Sequence, residues 1–194
     1  MIQVEPIRKL QTIKKIRSVL AKQSKRNELL FIIGINVGLR VSDLLQLKVF
    51  DVLNRANIVI TEKKTKKVKK FYVNETVNQL VEAFVKSENI TDAEAYLFES
   101  RKGGPISRIQ AYRILNSAFE EVGLVSRNCN GILTEGQMGT HTMRKTFGYH
   151  AYKNGVSIEL LMDIMNHSSV TQTLKYIGIT EQKKKEVYLN LNLG

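Results

Sequence analysis

A single cysteine, Cys129, stands in a chain of 194 residues. That excludes a disulfide framework and a cysteine-rich metal site, and it fits a reducing compartment such as the cytoplasm. Long apolar runs are also missing. The longest, Leu29 to Ile35 with Gly34 inside it, is far too short to span a bilayer. The N-terminus, MIQVEPIRKLQTIKK, has no uninterrupted apolar core of signal-peptide length. The three histidines lack close ligand spacing with the cysteine, so no metal and no other cofactor is expected. Acidic residues are few: 18 Asp and Glu face 30 Lys and Arg, for a formal net charge of +12. Such a surplus favours a polyanionic partner, because each phosphate neutralised releases condensed counterions. A merely basic soluble protein has the same composition, so charge alone leaves both readings open.

Helical patterns dominate what is there. Thr12 is expected to cap a first helix with Ile13, Ile16, Val19 and Leu20 on its apolar face. Arg26 to Val37 reads as a buried helix ending before Gly38, and Ser42 as the cap of a short helix carrying Leu44, Leu45 and Leu47. The period then changes. ANIVI and VKKFYV are β-rich runs on either side of the lysine-loaded TEKKTKK, which predicts an antiparallel hairpin. Asn74 caps the next helix, and Gly103-Gly104-Pro105 breaks the following segment into a loop. Ser107 caps a helix that Gly123 ends. Ser126 to Gly139 reads as a surface loop. Thr140 or Thr142 starts a helix ended by Asn154-Gly155, and Ser157 caps another with Ile158, Leu161, Met162 and Met165 inward. A last short helix, capped by Ser169 or Thr171, carries Tyr176. With no repeat, low-complexity tract or linker in view, the expectation is one α+β domain over 1–194, mostly helical with a small antiparallel sheet.

Four stretches hold chemistry: Gly38-Leu39-Arg40, the lysines around Lys64, His141-Thr142-Met143-Arg144, and His167 with Tyr176 nine positions later. Two arginines, two histidines, a lysine and a tyrosine suffice for phosphoryl transfer through a covalent phosphotyrosine, with the cations neutralising charge on the phosphate. At i, i+3 spacing His141 and Arg144 share one helix face near its N-terminus, where free N–H groups also favour an anion. An ordinary exposed His-Arg pair has the same spacing. Arg40 lies among Leu39, Val41 and Leu44 and should be partly buried, with Asp43 as a structural partner or a brace for the loop. Of the hairpin lysines Lys63, Lys64, Lys66, Lys67, Lys69 and Lys70, most form a solvated or DNA-contacting edge. Lys64 is the choice for protonating a leaving oxygen, with Lys66 the alternative. His150 falls in an apolar stretch and reads as structural.

These residues carry a resemblance. GLRVSDLLQL resembles the first-arginine box of the tyrosine recombinase (phage integrase) catalytic domain, and HTMRKTFGYHAYKNGVSIELLMDIMNHSSVTQTLKYIGI resembles its second box. The similarity runs from about Thr12 to Ile179. It implies a site-specific DNA recombinase with Arg40, Lys64, His141, Arg144, His167 and the nucleophile Tyr176 as its active-site set. It further implies double-stranded DNA as partner, no membrane association, and a homotetramer at synapsis. Lys63, Lys66, Lys67, Lys69, Arg101, Lys102 and Lys145 are expected to contact DNA. Many members carry an N-terminal DNA-clamping domain that is not expected here, either because the chain is a short member or because it is an excised catalytic domain. Residues 180–194, with Val187, Leu189, Leu191 and Leu193 alternating, are expected to dock on a neighbouring protomer. Two positions depart from the pattern: Lys145 stands where His is frequent, and Asn166 where Gly is usual, so a left-handed turn is expected before His167. A type IB topoisomerase and a non-enzymatic DNA-binding regulator on the same fold are the rivals; the second predicts an eroded catalytic set, whereas all six positions are filled.

Overall fold

Apolar residues surround the helix Lys25–Val37 on every side, and this places it at the centre of the molecule. The computed structural model describes residues 4–61, 68–130, 133–179 and 188–191, with backbone alone for 133–135. The chain enters through α1 (Leu10–Gln23), which buries Ile16, Val19 and Leu20. It begins two residues before the expected cap: Lys9 occupies the N-cap with no side-chain bond, and Thr12 lies inside the first turn. The central helix is α2 (Lys25–Val37), capped by Ser24, whose hydroxyl accepts from the Asn27 amide. Leu29, Leu30, Phe31, Ile32, Ile33 and Val37 are all buried. Each such side chain contributes about 1.5–3 kcal/mol relative to exposure, so α2 anchors the core.

Gly38 ends α2 at φ +69, in the left-handed region that favours glycine. The short α3 (Val41–Leu44) follows, with Arg40 as its N-cap; Ser42 is inside the helix rather than capping it. After α4 (Val49–Val52) come β1 (Asn57–Thr61) and β2 (Val68–Tyr72), an antiparallel pair as expected. Ile58 faces Phe71 across the ladder, and both are buried while Val59, Val68 and Tyr72 are exposed. One face of the hairpin therefore covers the core and the other meets solvent. Helix α5 (Glu75–Ser87) is capped by Asn74 and α6 (Arg108–Glu121) by Ser107. Between α6 and the next helix, the expected loop contains a second antiparallel pair, β3 (Ser126–Arg127) and β4 (Leu133–Glu135). Its strands are too short to show a period-two pattern, which is why sequence missed it.

The remaining helices are α7 (Thr140–Lys153), α8 (Ile158–Ile164) and α9 (Val170–Tyr176). Helix α7 packs on α2 where Gly34 faces Met143; a Cβ at Gly34 would lie 2.4 Å from the Met143 sulfur. That close approach brings the next residue, Arg144, to the end of α2. Helices α8 and α9 pack on α7 through a separate apolar cluster of Leu161, Met165 and Ile177 with Phe147 and Tyr152. Ahead of α1, the extended segment is stitched to the same region. The Ile7 amide donates to Thr146 Oγ1 at 2.9 Å, and Arg8 donates to the Gly178 carbonyl at 3.2 Å. Among the described residues, no helix is long and apolar enough to cross a membrane.

Candidate active site

Arg40 lies two residues past the left-handed Gly38 and is half-buried, with Leu39 and Leu44 buried beside it. Its side chain lines a cleft of about 710 Å³ together with Ser42, Gln46, Ser107, Arg108 and His141. His141 is the second residue of α7 and is exposed; Arg144, one turn later, is only 3% exposed. The guanidinium is held by two carbonyls at helix C-termini. Nη1 donates to Gly38 O at 2.9 Å and Nη2 to Met165 O at 2.8 Å. Both carbonyls lie at negative ends of helix dipoles, so the buried cation is stabilised by α2 and α8 together. Arg144 also lies close enough to the Tyr176 hydroxyl to favour its ionised form.

His167 follows Asn166, whose φ of +50 is the left-handed turn expected from the sequence. Its Nδ1 lies 3.2 Å from Thr173 Oγ1, and the Thr173 hydroxyl donates to Ser169 O at 3.0 Å. With that proton committed, Thr173 accepts, so Nδ1 of His167 carries its hydrogen and Nε2 keeps its lone pair. Burial, with the nearby charges of Arg144 and Arg40, lowers the His167 pKa to about 4. The imidazole is therefore neutral at pH 7 in the DNA-free protein.

Tyr176 is the last residue of α9, and Ser169 is the cap of that helix. Its ring meets the His167 ring edge-on, with centroids 4.8 Å apart and planes at 68°. Its hydroxyl is 3.4 Å from Nδ1 of His141. Burial raises its pKa, and the charges of Arg144 and Arg40 oppose that rise. Burial is the larger influence, so the resting phenol holds its proton at neutral pH. The two arginines, the two histidines and the tyrosine thus converge on one place at the edge of a cationic cleft, where an anion would be met by guanidinium forks.

The other expected positions divide. Lys63, Lys64, Lys66 and Lys67 lie outside the described residues. Lys69 is half-buried and donates to the Asp163 carbonyl at 2.5 Å, tying β2 to α8. Arg101 and Lys102 are exposed on the loop ahead of Gly103. Lys145, expected as a DNA contact, is 4% exposed, and its ammonium lies 4.9 Å from the centre of the Tyr176 ring. It sits under the tyrosine instead of on the surface. His150 bonds the Ile7 carbonyl at 2.9 Å, the structural role expected for it. Thr173 and the carbonyls of Gly38 and Met165 were not anticipated. Thr173 had a signal, since it shares a helix face with Tyr176 at i, i+3 spacing; the carbonyls had none. Among the described residues, no group of three His, Cys, Asp or Glu side chains is gathered to hold a metal.

A mostly helical domain with a tyrosine, two arginines and two histidines at the edge of one cationic cleft belongs to a class suited to phosphate chemistry. Residues 7–183 match the phage integrase family, and the chain belongs to that family. "Probable integrase/recombinase YoeC" of Bacillus subtilis (strain 168) is 43% identical over 186 residues, which are 95% of this chain and 95% of that protein. "Tyrosine recombinase XerD" of Oceanobacillus iheyensis is 25% identical over 175 residues, covering 86% of this chain and 54% of that protein. In fold, the chain matches the XerH site-specific recombinase in a post-cleavage complex with palindromic difH substrate, with a TM-score of 0.70 at 20% identity. That match covers 97% of this chain and 52% of the XerH chain. The chain thus spans nearly all of YoeC and about half the length of XerD and XerH.

Proposed function

We propose that this chain cleaves and rejoins double-stranded DNA at specific sites through a 3′-phosphotyrosyl intermediate on Tyr176. One observation carries the reading: the Tyr176 hydroxyl lies against His141 and Arg144, beside the cleft that Arg40 lines. Similarity to YoeC, XerD and DNA-bound XerH supports it.

In the proposed cycle, the Tyr176 oxygen attacks a DNA phosphorus while its proton passes toward His141. The bond from phosphorus to the 5′ oxygen breaks, and that oxygen leaves as a 5′ hydroxyl after taking a proton from Lys64, or from Lys66. Arg40 and Arg144 hold the non-bridging oxygens and offset the charge that builds in the transition state. The His167 imidazole faces the same phosphate. Because the phosphotyrosyl ester keeps the energy of the original bond, a 5′ hydroxyl from a partner strand reverses the step without ATP or metal. Exchange between two duplexes then involves four protomers acting in pairs, with residues 180–194 docking on a neighbour. Leu189 and Leu191, at 73% and 60% exposure, are open to such a contact.

The test uses nicked duplexes with a randomised central sequence, from which a cut 5′ segment diffuses away and strands the protein on DNA. Wild-type chain is expected to yield an SDS-resistant, protease-sensitive adduct linked through tyrosine, recoverable by sequencing. Tyr176→Phe should bind the recovered sequence and give no adduct. A denaturant-resistant link formed by Tyr176→Phe overturns the assignment.

A further inference from the structure

A lysine buried in a protein interior is costly, and side chains of that type are almost never fully buried without a compensating interaction. Lys145 is 4% exposed in the middle of α7. Burial lowers its pKa, and Glu5 is the carboxylate that pulls the other way. Packing alone does not explain the choice, since methionine has a similar length and fills the same volume without a charge to desolvate. What the ammonium does have is an aromatic face: it lies over the Tyr176 ring, 4.9 Å from the centroid. The ring is thereby held from more than one side. Lys145 is over it, the His167 ring meets it edge-on, and its hydroxyl faces His141 and Arg144.

We propose that Lys145 is a positioning residue for Tyr176, its ammonium holding the phenol ring in line with Arg144 and His141 and favouring the phenolate as it forms. The proposal rests on the reading of Tyr176 as nucleophile. It assigns Lys145 no proton transfer: the phenol proton goes toward His141 as above, and Lys145 stays an ammonium throughout. A cation attracted by the ring quadrupole is attracted more strongly as negative charge grows on the phenol, so the contact is tighter in the transition state than in the ground state. Lys145 and Tyr176 belong to the same chain, so this hold exists before any second protomer arrives.

The experiment compares the full chain with Lys145→Met and Lys145→Arg on the duplex recovered with the wild type. Four quantities are read: single-turnover adduct formation, duplex affinity across a salt series, thermal midpoint, and the titration of Tyr176 in DNA-free protein followed by 13Cζ NMR. Lys145→Met should slow adduct formation by roughly 2- to 30-fold, the range of a desolvated cation–π contact. Affinity and its salt slope should be unchanged, the thermal midpoint unchanged or higher, and the Tyr176 titration moved upward. Lys145→Arg, which keeps a cation, should recover much of the rate and of the titration.

Wild-type cleavage rates in Lys145→Met overturn the proposal. So does a rate loss that tracks a fall in thermal midpoint, which marks a packing role. A shallower salt slope also overturns it, because Lys145 would then be meeting a phosphate. The NMR titration needs no DNA, so it still decides whether the ammonium acts on the phenol if the nucleophile assignment itself fails in Tyr176→Phe.

Discussion

His167 rests as a neutral imidazole between a threonine and two arginines, and this gives the folded protein a pH signature. Its pKa is about 4 in the fold, against an ordinary 6.5 in an unfolded chain. Between those values the unfolded chain binds a proton that the folded one refuses, so stability falls as pH drops through the window. Below about 4 both states are protonated and this contribution levels off. Above 6.5 both are neutral and the full contribution is present. His167→Gln should therefore lose less thermal stability between pH 6.5 and pH 4 than the wild type does, as melting curves at stepped pH will show. Parallel curves for the two proteins would mean that His167 titrates normally in the fold. The same geometry explains why a histidine read from sequence as a phosphate ligand presents a lone pair: Thr173 accepts from Nδ1–H, so Nε2 has to take a proton from solvent, which a nearby phosphate anion favours, before it can donate to that phosphate.

At the scale of elements, the position of Tyr176 depends on how closely α9 approaches α7. Gly148 sets that distance. A Cβ there would stand 2.3 Å from the Met165 methyl and 2.7 Å from Cγ2 of Ile177. The methionine methyl is the end of a flexible chain and can swing aside. Isoleucine is β-branched and stiff, and it is the residue next to Tyr176. Gly148→Ala should thus displace α9 by some tenths of an ångström. Stability should change little, within about 1 kcal/mol, because the helix propensity gained by alanine offsets much of the overpacking. Adduct formation should drop on the order of tenfold or more, since small misplacements of a nucleophile are costly. Melting and single-turnover cleavage of the one variant separate the two effects; wild-type cleavage with lost stability would place the strain in the core and not at α9.

Across the whole molecule, the excess of 30 basic over 18 acidic residues means that the duplex binding proposed above should be governed by backbone phosphates. Duplex affinity should fall steeply with salt, with a log–log slope near −0.9 for each phosphate met. Arg101 and Lys102 are exposed on one loop, and Arg108 lines the cleft with Arg40. Replacing Arg101 and Lys102 together by Gln should make the slope shallower by about 0.9 for each one that meets a phosphate, with similar effect on any duplex sequence. A salt-insensitive affinity, measured by fluorescence anisotropy on a labelled duplex, would remove the electrostatic account.

Sequence alone determined the elements whose signals are local. The caps at Asn74, Ser107, Ser157 and Ser169 each bond an amide three residues on, so the motif is complete within one turn. The first hairpin was legible because two β-rich runs flank a polar, lysine-loaded turn, and the left-handed Asn166 because it stands where the family usually has Gly. The chemical types of the site were legible too, since the family's boxes keep them in order along the chain. Tertiary structure decided what those groups touch. Arg144 is fixed by carbonyls 106 and 21 residues away, at the C-terminal ends of α2 and α8, which both pack on α7. Lys145 looked like one more surface cation, because a single charged residue in a short stretch carries no sign of which way its helix turns. The approach of α7 to α2 at Gly34, and of α9 to α7 at Gly148, buried that lysine beneath Tyr176. Burial and long-range contact are properties of the packed chain, and no local pattern encodes them.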